Sequence, residues 1–314
     1  MPPVHAAAEQ LALFDLGVDL MALKRERDQL NGHATAANTR RALDSDWRHF
    51  ATWCRRAGRT SLPAAAETVE LYLTHCAAKL GHKTSTVQRR AWSISRQHRS
   101  AGEISPLGDQ VRGLLAAIAR KFGTAPQQPA AVTPEELRAM SLACDDSPRG
   151  IRDRAILVLG FATGCRRSEL VALRIQDVTV AGKGLVVKVR RAKNDQTGRG
   201  REIGVFRGRR AETCPVRTLR AWLRLRGPSP GLLFGLTTGE SINYVVHQAA
   251  KRAGLDPARY SAHSLRAGMC TTAVASGAPE SIVMRRSGHK SASSFQRYVR
   301  PAEMFASDPL AKAL

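Results

Sequence analysis

The sequence predicts a mainly α protein in two parts: an all-α N-terminal domain, then a mixed α/β domain, mostly helical with a small antiparallel sheet. Three observations carry that expectation. Apolar side chains recur at helical spacing from about residue 38 to 122, with no strand signal among them. An uncharged stretch, TAPQQPAAVTP at 124–134, then breaks the pattern as a linker does. Beyond it, one pair of β-prone segments stands among further helical ones.

The elements follow in order. Residues 6–30 hold Leu11, Leu13, Phe14, Leu16, Val18, Leu20, Met21 and Leu23, which predicts a short amphipathic helix in an extension over 1–30. The all-α domain spans 31–123. Asn38 can cap its first helix, whose apolar side is Leu43, Trp47, Phe50, Trp53 and Cys54, and Gly58 stops it. A second helix over about 65–80 turns Val69, Tyr72, Leu73, Cys76 and Leu80 inward and ends at Gly81. The third, 84–99, places Val87, Ala91 and Ile94 on one side and Arg89, Arg90, Arg96 and Arg99 elsewhere. The fourth, 109–122, shows Val111, Leu114, Leu115 and Ile118. After a linker at 124–132, the second domain, 133–314, opens on Thr133-Pro134-Glu135-Glu136, a capping box with Pro at the first helical position. Helices are expected at about 151–163 and 166–174. Residues 185–191 and 201–206 form a hairpin around a loop containing Gly and Asn, and helices return at 215–226, 241–253, 263–276 and 279–286.

Charge narrows the function. Against 26 Asp and Glu stand 49 Lys and Arg, a net +23. Residues 1–30 carry 3 basic and 5 acidic side chains, 31–125 carry 15 and 6, and 126–314 carry 31 and 15. Both globular parts are therefore cationic, as expected of two surfaces that meet one polyanion, and nucleic acid is the first candidate. Cys54, Cys76, Cys144, Cys165, Cys214 and Cys270 form no C-x-x-C pair, which argues against a structural zinc site or a disulfide scaffold. No apolar run approaches the ~20 residues of a membrane helix. The start, MPPVHAAAEQ, lacks the basic and apolar regions of a signal peptide. A soluble cytoplasmic chain is expected.

Several groups carry chemistry. The block 188–226 holds 13 basic and 3 acidic residues around the hairpin, a surface for a DNA backbone. In RAILVLGFATGCRRSELVALR, one helix ends at Thr163-Gly164 and another begins, so Arg166 sits at a rigid element's end, with Glu169 able to brace it. Taken singly, an Arg beside a Glu is more often an ordinary surface pair. His263 and Arg266 share a helical face, although one H-x-x-R is expected by chance in a chain so rich in Arg. Ser287-Gly288-His289 follows, then Tyr298. Of the four tyrosines, Tyr72 and Tyr244 lie on helical apolar patterns and read as core, and Tyr260 falls in a loop. Tyr298, in SSFQRYVRP, has no evident core to fill.

Taken together and in this order, these groups resemble the tyrosine recombinase (phage integrase) family. TGCRRSELVALR is similar to the family's first box, and HSLRAG with SGHKSASSFQRYV to its second. The resemblance implies a helical core-binding domain that clamps DNA and a catalytic domain. In the catalytic domain Tyr298 attacks a phosphodiester, Arg166 and Arg266 stabilise the phosphorus centre, and His263 and His289 add hydrogen bonds. Lys193 in the hairpin protonates the leaving 5′-oxygen, with Lys188 the alternative, and Glu169 supports Arg166. No metal and no cofactor are implied. DNA contacts are expected from Arg40, Arg41, Lys83, Arg89, Arg90, Arg96, Arg99, Arg190 and Arg191. The implied partners are duplex DNA and further copies of the chain. A tetramer on paired inverted half-sites would exchange strands through a 3′-phosphotyrosyl linkage and a Holliday junction.

Met304, Phe305, Leu310 and Leu314 predict a tail helix that packs on its own domain or is donated to a neighbour. Ala267-Gly268 after H-x-L-R is nearer the Cre pattern, His289 nearer the Xer pattern, and Ser287 replaces a usual Leu. A catalytically silent DNA-binding or architectural protein and a type IB topoisomerase-like enzyme are the competing readings.

Overall fold

The computed structural model describes residues 19–33, 37–124, 129–190 and 200–303. The chain divides into two compact units, Met1–Pro126 and Gln127–Leu314. Among the described residues it is mainly helical with one three-stranded antiparallel sheet.

The first unit holds α1 (Leu20–His33), α2 (Ala37–Arg56), α3 (Ala66–Thr74), α4 (Thr84–Ser100) and α5 (Asp109–Phe122). Its core joins Phe50 and Cys54 of α2, Val69, Tyr72 and Leu73 of α3, Val87, Ala91 and Ile94 of α4, and Val111 and Ile118 of α5. These are the stripes that 3.6-residue spacing brings to one face. One inward assignment fails. After Thr74 the chain makes a π turn, His75–Lys79, closed by Leu80 N–H donating to His75 O at 3.1 Å. The wider turn rotates everything beyond it, so Cys76 and Ala77 are buried whereas Leu80 is 43 % exposed. In α1, Leu20, Met21 and Leu23 are exposed, and the earlier apolar residues of the expected helix lie outside the described ones.

The second unit opens with α6 (Pro134–Leu142). Thr133 Oγ1 accepts from Glu136 N–H, and Glu136 accepts from Thr133 N–H, at 3.1 and 2.9 Å. Then come α7 (Pro148–Thr163), α8 (Arg167–Ala172), β1 (Val178–Ala181), β2 (Gly184–Val189) and β3 (Arg201–Phe206). After them run α9 (Pro215–Arg226), α10 (Gly239–Arg252), α11 (Ala262–Ala275), α12 (Glu280–Ser287) and α13 (Ala292–Glu303). Helix α7 is the hub, with Ala155 to Leu159 all buried, and the sheet packs Leu185, Val187, Val189, Ile203 and Val205 into the same core. The sheet order is β1-β2-β3, with Val189 opposite Arg201. Strand β1 was not expected, because four residues before a turn show too little alternation to read.

Two tyrosines depart from expectation. Tyr244 is 51 % exposed, its ring facing the Arg149 guanidinium at 5.4 Å instead of the core. Tyr298 does fill a core. Helix α13 packs it beside Ala267, Met269, Cys270, Val283 and Phe295, in a small cluster separate from the main one. Tyr260 lies in a loop as expected but is buried, its hydroxyl donating to Glu136 Oε1 at 2.6 Å. The tail bearing Met304, Phe305, Leu310 and Leu314 is outside the described residues. Among those described, no helix is long and apolar enough to cross a membrane.

Candidate active site

Two helix ends build the site. Helix α7 stops at Gly164 and α12 at Gly288, both left-handed, with φ of 62° and 70°. Glycine adopts that backbone without strain, and each stop leaves helix-terminal carbonyls unpaired at the negative end of a dipole. Guanidiniums satisfy them. Arg266 of α11 donates to Gly164 O at 2.7 Å and to Ser287 O. Arg166, the residue before α8, donates to Gly288 O at 3.0 Å. Ser287 and Gly288 are neighbours, so consecutive peptide carbonyls hold the two arginines together. At Gly164 a Cβ would also meet Met269 Cε at 2.1 Å, so a side chain there would have to displace the Met269 methyl as well as strain the backbone.

Glu169 braces the other side of Arg166. The Arg166 Nη1–H donates to Glu169 Oε1 at 2.8 Å and its backbone N–H to Oε2 at 2.9 Å. Glu169 also accepts two bonds from Arg201, at 2.7 and 3.3 Å. Burial alone would push Glu169 up, but Arg201 and then Arg166 outweigh it and hold its carboxyl below the ordinary range. Arg201 and Arg286 escaped the sequence reading. Arg286 ties Ala162 O of α7 to Gly204 O of β3, at 3.0 and 2.8 Å. For Arg201 a signal existed. It shares the inward parity of Ile203 and Val205 on β3, an odd place for a cation unless it is paired.

The imidazoles and the phenol close the site. Ser287 Oγ–H donates to Val283 O at 2.7 Å, so its contact with His289 Nδ1, also 2.7 Å, needs Nδ1–H as donor. The Nε2 of His289 is then an acceptor and receives Arg266 Nη2–H at 2.9 Å. Only a neutral ring satisfies both contacts. Burial, then Arg266 and Arg166, hold the His289 pKa down at about 3. Tyr298 Oη lies 3.0 Å from His263 Nε2. His263 keeps an exposed edge. The atoms packed around its ring, then Arg266, Arg297 and Arg166, lower its pKa, so it stands ready to accept a proton. Burial raises the Tyr298 phenol, and Arg266 opposes the rise.

Five of the expected catalytic residues thus come together with Glu169. Lys193 and Arg191 lie outside the described residues, and Lys188 is exposed on β2. Of the expected DNA contacts, Arg40, Arg41, Lys83 and Arg99 are exposed and Arg96 is half-buried. Arg89 is exposed and forks onto Asp46 at 2.7 and 3.1 Å. Arg190 pairs with Asp177. Arg90 is a correction. Only 9 % exposed, it is drawn inward by Asp46 and donates to Tyr72 Oη and Cys76 Sγ at 3.2 and 3.1 Å, so it faces the core instead of a ligand.

The neutral His289 makes stability depend on pH. Its folded pKa of about 3 lies below the ordinary 6.5, so the unfolded chain takes up the proton first as pH falls. Its contribution is complete above about pH 6.5 and declines toward pH 3. Between pH 6.5 and 5, wild type is expected to lose up to about 2 kcal/mol more than His289→Asn, readable by urea unfolding. Parallel losses in the two proteins would show that His289 is already charged in the fold.

A pair of guanidiniums beside two neutral imidazoles and a phenol has the donors to receive a tetrahedral anion next to a hydroxyl. Comparison with known proteins specifies the class. Residues 130–304 match the Phage integrase family. The chain is 33 % identical over 291 residues to the "Integrase/recombinase xerD homolog" of Selenomonas ruminantium, covering 88 % of this chain and 85 % of the relative. It is 27 % identical over 301 residues to "Tyrosine recombinase XerD" of Caulobacter vibrioides, covering 93 and 92 %. In fold it is similar to the lambda integrase dimer bound to a COC′ core site, with a TM-score of 0.61 at 16 % identity, covering 90 % of this chain and 77 % of that one. The chain belongs to the phage integrase family, and the relatives named here are tyrosine recombinases.

Proposed function

We propose that this protein is a site-specific tyrosine recombinase that cuts and rejoins duplex DNA. The observation that carries the reading is the Tyr298 hydroxyl, 3.0 Å from the uncharged His263, beside the two arginines anchored on adjacent carbonyls. A phosphodiester placed there meets Tyr298 Oη. As the Oη–P bond forms, the phenolic proton passes to His263 Nε2. Charge gathers on the nonbridging oxygens, which Arg166 and Arg266 neutralise. The P–O5′ bond breaks and the 5′-oxygen leaves with a proton from Lys193, or Lys188 in its place. The product is a 3′-phosphotyrosine and a free 5′-hydroxyl. Attack by a different 5′-hydroxyl reverses the step and returns the proton to Tyr298, so rejoining needs no external energy. The helical unit at 31–123 clamps the duplex through Arg40, Arg41, Lys83, Arg96 and Arg99, and four copies on two paired sites exchange strands in turn.

The test is covalent capture. Wild-type protein is incubated with fragmented genomic duplex in EDTA, the mixture is denatured, and the DNA that stays attached is sequenced. Adducts ending at a shared motif with inverted half-sites are expected. Replacing Arg166 or Arg266 by Met should cut the yield by about 10²–10³, the usual loss for one charge-stabilising donor. Motif-specific retention with no adduct from wild type would favour a silent DNA-binding protein. Adducts without sequence preference would favour a relaxing topoisomerase.

A further inference from the structure

We propose that Arg201 is a positioning residue of the cleavage site: it supplies the counter-charge to buried Glu169 that leaves Arg166 an edge for the substrate, and it locks the β2–β3 hairpin to that clamp. The proposal rests on the recombinase reading for its substrate, but the geometry stands apart from it.

A guanidinium has five N–H groups in a fixed fork. Arg201 directs its three nitrogens into the protein: Nε to Arg286 O at 3.1 Å, Nη1 and Nη2 to the two Glu169 oxygens at 3.3 and 2.7 Å. Among the described residues Arg166 makes two side-chain bonds, one to Glu169 and one to Gly288 O, so toward those residues its Nε–H and two further N–H groups are not engaged. The exposures agree, with 13 % of the Arg201 side chain and 20 % of the Arg166 side chain open against 1 % for Glu169. Two cations therefore share one buried carboxylate, and the one that forks onto it faces no ligand. Without Arg201, Glu169 would be left with a single cationic partner. A buried carboxylate is costly unless paired, so Arg166 would turn its fork onto Glu169 and away from a phosphate.

Position adds a second role. Arg201 is the first residue of β3 and pairs in register with Val189, the last of β2, so it closes the strand end from which the Lys193 connection departs. Through Arg286 O it reaches the last turn of α12, which carries Ser287 and leads to His289. Gly288 also lies against it: a Cβ there would meet Arg201 Nη1 at 2.9 Å and push the guanidinium aside. One side chain thus ties the hairpin, the Glu169 brace and the segment that presents His289. Arg201 itself touches no reacting atom.

Two readouts on the full-length protein test this. The first uses DNA-free protein. The Arg166 Nε–Hε NMR correlation, assigned by its loss in Arg166→Lys, should move in Arg201→Met and return toward its wild-type position in the double variant Glu169→Gln/Arg201→Met. The second is adduct yield in the capture assay. Arg201→Met is expected to lower it by about 10²-fold, the scale of loss for a displaced reacting group, with duplex retention little changed. Arg201→Lys, which keeps charge but not the fork, should lose about tenfold. The double variant should recover at least about tenfold over Arg201→Met, because a neutral amide in place of the buried carboxylate needs no second cation. A merely structural Arg201 predicts the opposite, with the double variant no better than the single. An unmoved Arg166 signal, or a double variant no more active than Arg201→Met, overturns the proposal. If wild type forms no adduct, the recombinase reading fails and the NMR arm alone decides the role of Arg201.

Discussion

Tyr298→Phe is expected to abolish covalent attachment to DNA while leaving duplex binding and the fold close to wild type. The ring is the part that packs, against Ala267, Met269, Cys270, Val283 and Phe295, and Phe keeps all of it. Only the hydroxyl goes, and its partner His263 retains an exposed edge on which water can replace it. The stability cost is therefore that of one ordinary hydrogen bond, about 1 kcal/mol, against a typical total of about 5–15. The chemical cost is total, because the other three phenols are engaged elsewhere. Tyr260 is committed to Glu136, Tyr72 lies in the other unit's core, and Tyr244 faces Arg149. A denaturing gel of protein incubated with duplex reads the adduct, and a native gel on the same samples reads retention. Persisting adducts would mean that another residue is the nucleophile. Loss of retention together with the adduct would recast Tyr298 as a structural residue.

Much of this fold was legible because its helices are locally specified. Spacing placed Phe50, Val87, Ile94 and Val111 inward, and the Thr133–Glu136 box announced α6, because these signals lie within a turn or two of the residues they govern. What failed needed information from farther away. A π turn cannot be read from apolar spacing, so Leu80 was assigned to the wrong side. Arg90 and Arg89 are adjacent in a basic segment and both pair with Asp46, distant in sequence, yet Arg90 is buried against Tyr72 and Cys76 while Arg89 stays at the surface. Tyr298 looks solitary in the sequence because most of its core neighbours come from α11 and α12.

The candidate site shows the same division. Residue types in order singled out Arg166, His263, Arg266, His289 and Tyr298, which the structure brings together. The devices that orient them were hidden. That Gly164 and Gly288 turn carbonyls toward the arginines depends on two helix ends meeting, and that Arg201 shares Glu169 depends on a strand reaching a helix start. The motifs pointed to the groups proposed to meet a substrate. The groups that hold those in place are dispersed, and inward parity on a strand was the one local clue.

Affinity for duplex DNA is expected to fall by about 10³ or more between 50 and 200 mM salt, as for six or more phosphate contacts. The surplus of cations supports a count of that order. In residues 31–125, 15 basic side chains face 6 acidic ones. Three of the acids are already engaged: Asp46 by Arg89 and Arg90, Glu67 by Arg59, and Asp109 by Arg112. The surplus of Arg and Lys in this unit would favour a polyanion, and each phosphate neutralised would release condensed counterions. Anisotropy titrations of a labelled duplex should give log K against log salt with a slope of about −5 or steeper. A slope shallower than about −2 would contradict a phosphate clamp. Single variants separate surface from core. Exposed Arg99, changed to Gln, should flatten the slope by about 1 and leave unfolding unaffected. Arg90→Gln should leave the slope unchanged but destabilise the helical unit, because it strips Asp46 of a partner in the core. If both variants flatten the slope alike, Arg90 swings outward to meet DNA, and the buried pair with Asp46 is a resting state.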